Sequence, residues 1–360
     1  MQIFACGKKV LPQITQISQI EQDNLCNLWQ QKLQRSYSIK NILVKKPHCC
    51  RFTKRYCMEF GRVPVQELGS IDFSLPKEPA FNKTVLKGKK FKNPKVYLGC
   101  AKWGRTEWVG KIYPPKTKEK DFLKHYVDHY NSIELNATHY KVYGEGGIKK
   151  WTANAAGKDF KFCPKMYQGI THRGSLKGKQ FITNEFFRGI VAFEEYLGPI
   201  FVQVSDAFSP KRKEELFDFL KSLPTDLQFF LEVRHPDWFK KDDIREEMFE
   251  TLKALNMGAV ITDTAGRRDC AHMYLTIPKV FIRYVGNSLH PSDYTRCDVW
   301  VERMKYWMDK GLEELYFFMH MHDEATSPEL TVYLVDKMNA AMGLHLIKPT
   351  FVTQQKDLFD

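Results

Sequence analysis

Short apolar runs alternate with helical patterns along this chain from residue 96 onward. Eight runs carry a strand signal, at residues 96–100, 132–136, 160–165, 200–204, 229–233, 259–262, 280–285 and 315–319. Apolar positions at helical spacing follow them at residues 118–130, 147–155, 183–197, 210–220, 242–256, 299–310 and 328–342, and only the connection at 264–279 is irregular. Strands that alternate with helices indicate βαβ units, and eight of them in about 250 residues predict an α/β fold of the (β/α)8 TIM-barrel type.

The sequence before the first run has a different character. Residues 1–57 hold five of the nine cysteines, and seven Lys and three Arg against two acidic residues give them +8 of the net charge of +13. We interpret this segment as an extension, disordered or translated from a misassigned start, because MEFGRVPVQELGSIDF from residue 58 is typical of a protein start. Residues 58–95 carry four prolines and are predicted to form an irregular arm. Residues 96–348 then form the single main domain.

Composition and charge limit the function classes. A chain of 360 residues that is 43% hydrophobic can build a large core. It has neither an apolar run of about 18 residues nor a signal peptide, so we expect a cytoplasmic protein with no membrane partner. The cysteines include no CxxC pair, which argues against a disulfide framework or a zinc knuckle. The remaining charge of +5 is compatible with nucleic acid or another phosphorylated partner, and does not require one.

The segment at 228–239, QFFLEVRHPDWF, marks a candidate site. Glu232 and Arg234 fall on one face of a strand that Pro236 ends, and opposite charges in a core strand are costly unless they are paired. In a TIM barrel the active site lies at the carboxyl ends of the strands, which is where this pair is expected. The alternative is an ion pair that only stabilises the fold.

Several segments together resemble the YecE-like family, the domain of unknown function 72. They are LGCAKWGRTEWVGKIYPP (98–115), HYNSIELNATHY (129–140), KWTANAAGKDFKFCPKMYQGITH (150–172), LGPIFVQVSDAF (197–208), LEVRHPDWF (231–239) and FIRYVGN (281–287). The resemblance implies a TIM-type barrel and no assigned function. The chain departs from the family pattern at Val285, where a histidine is expected, and at Met319 and His320, which replace the usual Asn-Asn. We expect His320 or His322 to be the substitute if that histidine is needed.

Polar and aromatic residues near the predicted strand ends form the candidate site. Lys165 and the arginines suit a phosphate or carboxylate group, while two carboxylates with different neighbours suit acid/base catalysis. Aromatic residues in the adjoining loops could stack on a base or sugar. Each feature has a structural alternative, namely internal ion pairs for the arginines and lid packing for the aromatics. The predicted catalytic residues are Glu134, Glu232 and Lys165, and the predicted binding residues are Lys102, Trp103, Trp108, Tyr113, Asn136, Tyr140, His172, Gln203, Arg234, His235, Trp238, Asp263 and Arg283.

A metal site is the open alternative. His320 and His322 lie two residues apart, and Glu134, Glu232, His235 and Asp263 could complete a set of ligands. We favour one histidine hydrogen-bonded in the mouth and the other exposed to solvent, so no cofactor is predicted, with a divalent metal as the alternative.

The function predicted from these features is binding of a small anionic or phosphorylated substrate at the barrel mouth, with hydrolysis of a phosphoester as the reaction. Glu232 or Glu134 would be the general base, and Lys165 with the two arginines would hold the anion. The alternatives are a metal-dependent nuclease and a non-catalytic module that binds nucleic acid or a metabolite. No oligomeric state is predicted.

Overall fold

The computed structural model describes residues 60–353, so the prediction for residues 1–57 lies outside the described residues. Eight strands form one sheet: β1 (Lys95–Cys100), β2 (Ser132–Leu135), β3 (Lys161–Pro164), β4 (Ile200–Gln203), β5 (Phe229–Glu232), β6 (Gly258–Asp263), β7 (Lys279–Gly286) and β8 (Glu314–Met321). All neighbours pair in parallel, in the order β3-β2-β1-β8-β7-β6-β5-β4. The predicted (β/α)8 TIM-type fold is confirmed.

The barrel closes between β3 and β4 through a joint that is weaker than the seven ladders. Two isolated bridges, between Phe162 and Leu197 and between Lys165 and Phe201, replace a continuous ladder. Two backbone hydrogen bonds of 2.8 Å accompany them, from Gly198 N to Phe162 O and from Met166 N to Phe201 O. We call this joint the seam.

Helices follow the strands and form the outer layer. The α-helices are α1 (Phe122–Tyr126), α2 (Ala137–Tyr140), α3 (Glu145–Thr152), α4 (Gln168–Thr171), α5 (Gln180–Ile190), α6 (Lys213–Lys221), α7 (Asp237–Lys240), α8 (Asp242–Ala254), α9 (Pro291–Asp309) and α10 (Ser327–Met342). Short 3-10 helices lie at Val65–Ser70, Ala80–Thr84, Thr106–Trp108, Glu119–Asp121, Ala153–Ala155, Val191–Tyr196, Pro210–Arg212, Arg268–Cys270 and Glu324–Thr326. The connection from β6 to β7, predicted to be irregular, contains only one of these 3-10 turns.

The two longest helices have clear end signals. Helix α9 begins with Pro291, which lacks the N–H that a first helical turn leaves unpaired, and His290 before it accepts a hydrogen bond from Ser292 N. Helix α10 ends at Met342, and Gly343 after it has a φ of 67°, the left-handed conformation that glycine adopts without strain. No helix of residues 60–353 has the length and apolar character that a membrane crossing requires.

Residues 60–94, the described part of the predicted arm, contain two 3-10 helices and otherwise run along the barrel. Gly266 N donates a 2.8 Å hydrogen bond to Gly61 O, and the Asn82 side chain bonds the backbone at Met273 and Leu275. Phe60 packs on the Arg234 guanidinium, with 4.0 Å between the Arg234 Cζ and the ring centre. The arm is therefore fixed by hydrogen bonds and reaches one of the predicted site residues.

Apolar side chains fill the inside of the barrel. They form a core of their own, separate from the larger core between sheet and helices: Tyr97, Cys163, Phe201, Phe230, Val260, Ile277, Phe281, Tyr316 and Phe318. Since successive residues of a strand point to opposite faces, the residue two positions further along each strand also faces inward, one layer closer to the carboxyl ends.

Candidate functional site at the barrel mouth

The inward layer next to the carboxyl ends of the strands is polar. It consists of residues from seven strands or their ends, which we call the mouth cluster: Glu134, Lys165, Gln203, Glu232, Thr262, Arg283 and His320. Six of them lie two residues after an apolar member of the inner core, and Glu134 lies two residues after the buried Ser132. The barrel geometry thus brings together all three predicted catalytic residues, and Gln203 and Arg283 with them.

Arg283 connects the two carboxylates across the barrel. Its Nε lies 2.8 Å from Glu134 Oε2 and its Nη2 lies 3.2 Å from Glu134 Oε1, a two-bond fork. Its Nη1 lies 3.2 Å from Glu232 Oε1. All three side chains are buried, so the pairing compensates charges that water does not reach.

Four further side chains donate to or contact the carboxylates. His320 Nε2 lies 3.0 Å from Glu134 Oε2, and Asn136 Nδ2 donates to Glu134 Oε1 at 3.1 Å. On Glu232, Thr262 Oγ1 donates to Oε1 at 2.6 Å and Gln203 Nε2 donates to Oε2. Both carboxylates therefore accept several hydrogen bonds as anions.

These bonds and charges fix the ionisation of the two glutamates. Burial alone would raise the pKa of Glu134, but the charges of Arg283 and His320 outweigh it and hold the pKa well below its usual value. For Glu232, burial is outweighed by Arg234 and Arg283 and by two side-chain hydrogen bonds, which lower the pKa to about 2. Both groups are carboxylates at neutral pH, and both are weak bases there.

Lys165 is the cation of the cluster without a close acceptor. Its side chain is 8% exposed, and in the described part of the chain its Nζ forms no ion pair and donates no hydrogen bond. Nζ lies 5.2 Å from the centre of the Phe201 ring, and Arg283 Cζ lies 5.1 Å from the same centre. Burial, followed by the charge of Arg283, lowers the pKa of Lys165 to about 8, although Glu134 and Glu232 act in the other direction. At neutral pH the amine is mostly protonated, but it loses its proton more easily than an ordinary lysine does.

Arg234 stands at the edge of the same site with unused donors. Its Nε lies 3.4 Å from Glu232 Oε1 and its Nη1 lies 3.7 Å from Asp206 Oδ1, both too long or misaligned for hydrogen bonds. The guanidinium donates no hydrogen bond to any side chain or carbonyl of residues 60–353, and its side chain is 14% exposed. Phe60 covers one face of its plane.

Two histidines lie beside these cations. His172 was predicted from the sequence, and its ring meets that of His139 at 4.7 Å in an edge-to-face arrangement. Burial and the charge of Lys165 lower the pKa of both imidazoles to about 4, so both are neutral at pH 7. His139 Nδ1 lies 2.8 Å from Met166 O, which orients its ring.

Asp263 is directed away from the mouth. Thr262 faces inward, so the next residue faces the helix layer, where Asp263 is fully buried. Its carboxylate lies 3.0 Å from Arg296 Nη2, accepts a 2.7 Å hydrogen bond from Trp300 Nε1 and pairs with Arg268. These bonds connect β6 to α9, which makes Asp263 a structural ion-pair residue and not a mouth residue.

Three of the predicted stacking residues have no exposed ring. Trp108 and Tyr113 are fully buried and pack edge to face at 5.7 Å, with Trp108 Nε1 donating to Glu324 O. Trp238 is fully buried, and its Nε1 donates a 2.8 Å hydrogen bond to Phe208 O. These three rings pack in the core, so the prediction that they form a stacking platform is wrong.

The other predicted loop residues are at or near the surface. Tyr140 is 68% exposed, Lys102 is exposed, and Trp103 is half-buried against Trp151. The Nδ1 of His235 accepts a 3.2 Å hydrogen bond from Asp237 N, which supports the turn into α7.

Sequence reasoning missed two members of the mouth cluster as binding residues. Thr262 lies two residues after the inward-facing Val260, and His320 lies two residues after Phe318, so the period of two along each strand was the available signal. His320 pairs in register with Val285, the position where the family pattern expects a histidine. Its imidazole lies beside that position and contacts Glu134.

Metal ligands do not cluster in the described range. No group of three or more His, Cys, Asp or Glu side chains that could hold a metal ion occurs within residues 60–353. Of the residues in the metal alternative, His320 and Glu134 are in contact, whereas Asp263 is turned to the helix layer.

The fold and the site define a TIM-type barrel protein with a buried, charged cluster at the carboxyl ends of its strands. The chain belongs to the family described as "Protein of unknown function DUF72", whose sequence profile matches residues 97–355.

Related proteins support this assignment. The chain is 26% identical over 282 residues to the UPF0759 protein YecE of Escherichia coli strain K12, a match that covers 73% of this chain and 100% of that protein. It is 27% identical over 151 residues to the UPF0759 protein YunF of Bacillus subtilis strain 168, covering 40% and 52% of the two chains. A crystal structure of a DUF72 family protein from Enterococcus faecalis V583 matches with a TM-score of 0.50 and 16% identity, covering 72% of this chain and 100% of that chain. This likeness supports the fold alone.

Proposed function

We propose that the barrel mouth binds a small anionic ligand, with a phosphate or carboxylate group held by Lys165 and Arg234. The observation that carries this proposal is that both cations lie at the mouth with donors that no described acceptor uses. Arg283 is paired with the carboxylates Glu134 and Glu232 inside the mouth, whereas Asp206, which lies 3.7 Å from Arg234, is largely exposed to solvent. An anion would accept hydrogen bonds from donors that are otherwise without an acceptor in a largely buried place.

We further propose that the site is catalytic and that Lys165 is its proton-transfer group. A general base works best when its pKa lies near the operating pH. The pKa of Lys165, about 8, meets that condition, whereas Glu232, with a pKa of about 2, does not. Hydrolysis of a phosphoester remains the proposed reaction, with the amine in the role that the sequence suggested for a carboxylate. In this proposal Glu134 and Glu232 position Arg283 and compensate its positive charge.

The broader predictions stay as alternatives within this proposal. A metal-dependent nuclease or a non-catalytic nucleic-acid or metabolite-binding module would use the same mouth. We also propose a reducing compartment, the cytoplasm, because the four described cysteines, Cys100, Cys163, Cys270 and Cys297, are all buried and free.

Calorimetric titration of the full chain with inorganic phosphate and with small phosphorylated and carboxylated metabolites tests the proposal. Lys165→Met and Arg234→Met each remove one cation and keep an apolar side chain of similar length. Because a hydrogen bond to a charged group contributes about 1.5–3 kcal/mol, each variant should weaken anion binding by about 10- to 100-fold.

Lys161→Met is the matched control. Lys161 is the first residue of β3, four residues before Lys165, and its side chain donates to Glu195 O at the opposite end of the barrel. This variant should bind the anion as the unmodified chain does. Unchanged affinity in both mouth variants, or equal losses in the control, would contradict the proposed site.

A further inference from the structure

We propose that Lys165 forms an imine with its ligand, which makes the substrate class an aldehyde or ketone that carries a phosphate or carboxylate group. This inference rests on the proposed anion site and adds a covalent step to it. The Lys165 nitrogen attacks the carbonyl carbon, a C–N bond forms, and the carbonyl oxygen leaves as water with both protons of the neutral amine. No electrons are gained or lost, so no oxidant or reductant is required.

The first support is the state of the amine. A lysine attacks a carbonyl only when it is neutral, and most buried lysines are kept charged by a carboxylate partner. Lys165 has no such partner among residues 60–353, although two carboxylates belong to the same cluster. Glu134 and Glu232 are instead paired with Arg283, so the Lys165 amine loses its proton more easily than a lysine with its own carboxylate partner.

The second support is the position of the amine. Lys165 follows the last residue of β3 and its backbone bridges to Phe201 across the seam, so its side chain starts from a fixed point of the barrel wall. Its aliphatic chain is buried and its Nζ faces the ring of Phe201. Low hydration favours the loss of water that completes imine formation.

The third support is the charge around the product. An imine formed near neutral pH is easily protonated, and the resulting cation needs negative charge nearby. Glu134 and Glu232 are both ionised and both act electrostatically on Lys165. Arg234, on the outer side, can hold the anionic end of the same ligand with its unused donors. In the imine complex Arg234 holds the anionic group without Lys165, because the Lys165 nitrogen is bonded to the carbonyl carbon.

Reductive trapping tests the inference on the full chain. The protein is incubated with a phosphorylated aldehyde, glyceraldehyde 3-phosphate, and with sodium cyanoborohydride, which converts an imine into a stable secondary amine. Peptide mass spectrometry then locates the modified lysines. Parallel samples contain glyceraldehyde without phosphate, excess inorganic phosphate, or the variant Arg234→Met. Lys102 and Lys161 of the same chain serve as control lysines.

The expected result is modification of Lys165 ahead of Lys102 and Lys161, with suppression by inorganic phosphate. Modification should be about tenfold slower with glyceraldehyde or with Arg234→Met, because the charge-assisted bonds to the anion are lost. If inorganic phosphate binds by calorimetry but Lys165 is modified no faster than Lys102, the imine is refuted and the anion site stands. If Lys165 is modified preferentially by both aldehydes and phosphate gives no protection, the reactive amine stands and the anion site is refuted.

Discussion

Replacing Lys165 with methionine should stabilise the free protein at neutral pH. The ordinary pKa of a lysine is 10.5, and burial with Arg283 nearby lowers the pKa of Lys165 to about 8. That difference corresponds to about 3 kcal/mol of unfolding free energy, lost whenever the group is protonated in both the folded and the unfolded state. Methionine fills similar volume without the charge, so Lys165→Met should recover between about 1 and 3 kcal/mol at pH 7.

The pH dependence identifies the cause. Below about pH 8 the lysine is charged in both states, and the full cost is present. Between about pH 8 and 10.5 the unfolded chain binds the proton and the folded chain does not, so the stability of the unmodified protein rises with pH. The advantage of Lys165→Met should therefore shrink as the pH approaches 10. The groups that act on Lys165 from the surrounding elements are Arg283, Arg234, Glu134, Glu232, His139 and His172.

Thermal unfolding of the variant and the unmodified chain at pH 7 and pH 10 measures this effect. A gain of a few kcal/mol corresponds to a rise of several degrees in the midpoint for a domain of this size. Lys161→Met should show no such pH-dependent gain, since Lys161 is half-buried and donates to Glu195 O. Equal midpoints for Lys165→Met and the unmodified chain at pH 7, or a gain of the same size at pH 10, would refute the reasoning.

Three further substitutions separate structural from ligand-binding roles, all measured by thermal unfolding. Arg283→Met should lose about 3–5 kcal/mol because two carboxylates stay buried without their partner, and adding Glu134→Gln should restore part of that loss. Asp263→Ala should also lose about 3–5 kcal/mol, and any folded fraction should bind anions normally. Trp238→Phe should lose about 1 kcal/mol with its hydrogen bond to Phe208 O and should leave anion binding unchanged. Stability equal to that of the unmodified chain in any of the three would contradict the assigned role.

The sequence predicted the barrel because two periodicities alternate in it. Inward and outward residues alternate along each strand, apolar stripes recur along each helix, and eight such pairs leave few arrangements other than a closed barrel. Once the barrel is given, residues at the ends of different strands must meet. That is why Glu134, Lys165, Gln203, Glu232 and Arg283 were found together from the sequence.

The remaining site residues could not be placed because their roles depend on orientation and packing. Asp263 ends β6 directly after the inward-facing Thr262. Because adjacent residues of a strand point to opposite faces, its side chain points to the helix layer. Trp108 and Trp238 lie outside the strands, in helices of three and four residues that are too short for a periodic pattern to show which face is buried. The sequence also could not show that Lys165 lacks a carboxylate partner, because that depends on which cation the two glutamates bind.

The seam gives the barrel a mechanical property that its other joints lack. A ring of strands opens most easily at its weakest joint, and here that joint consists of two bridges, one of which is formed by Lys165 itself. Arg283 on β7 pairs with Glu134 on β2 and Glu232 on β5, and these ion pairs oppose separation of the strands across the interior. Local opening of the barrel is therefore expected first between β3 and β4, beside Lys165.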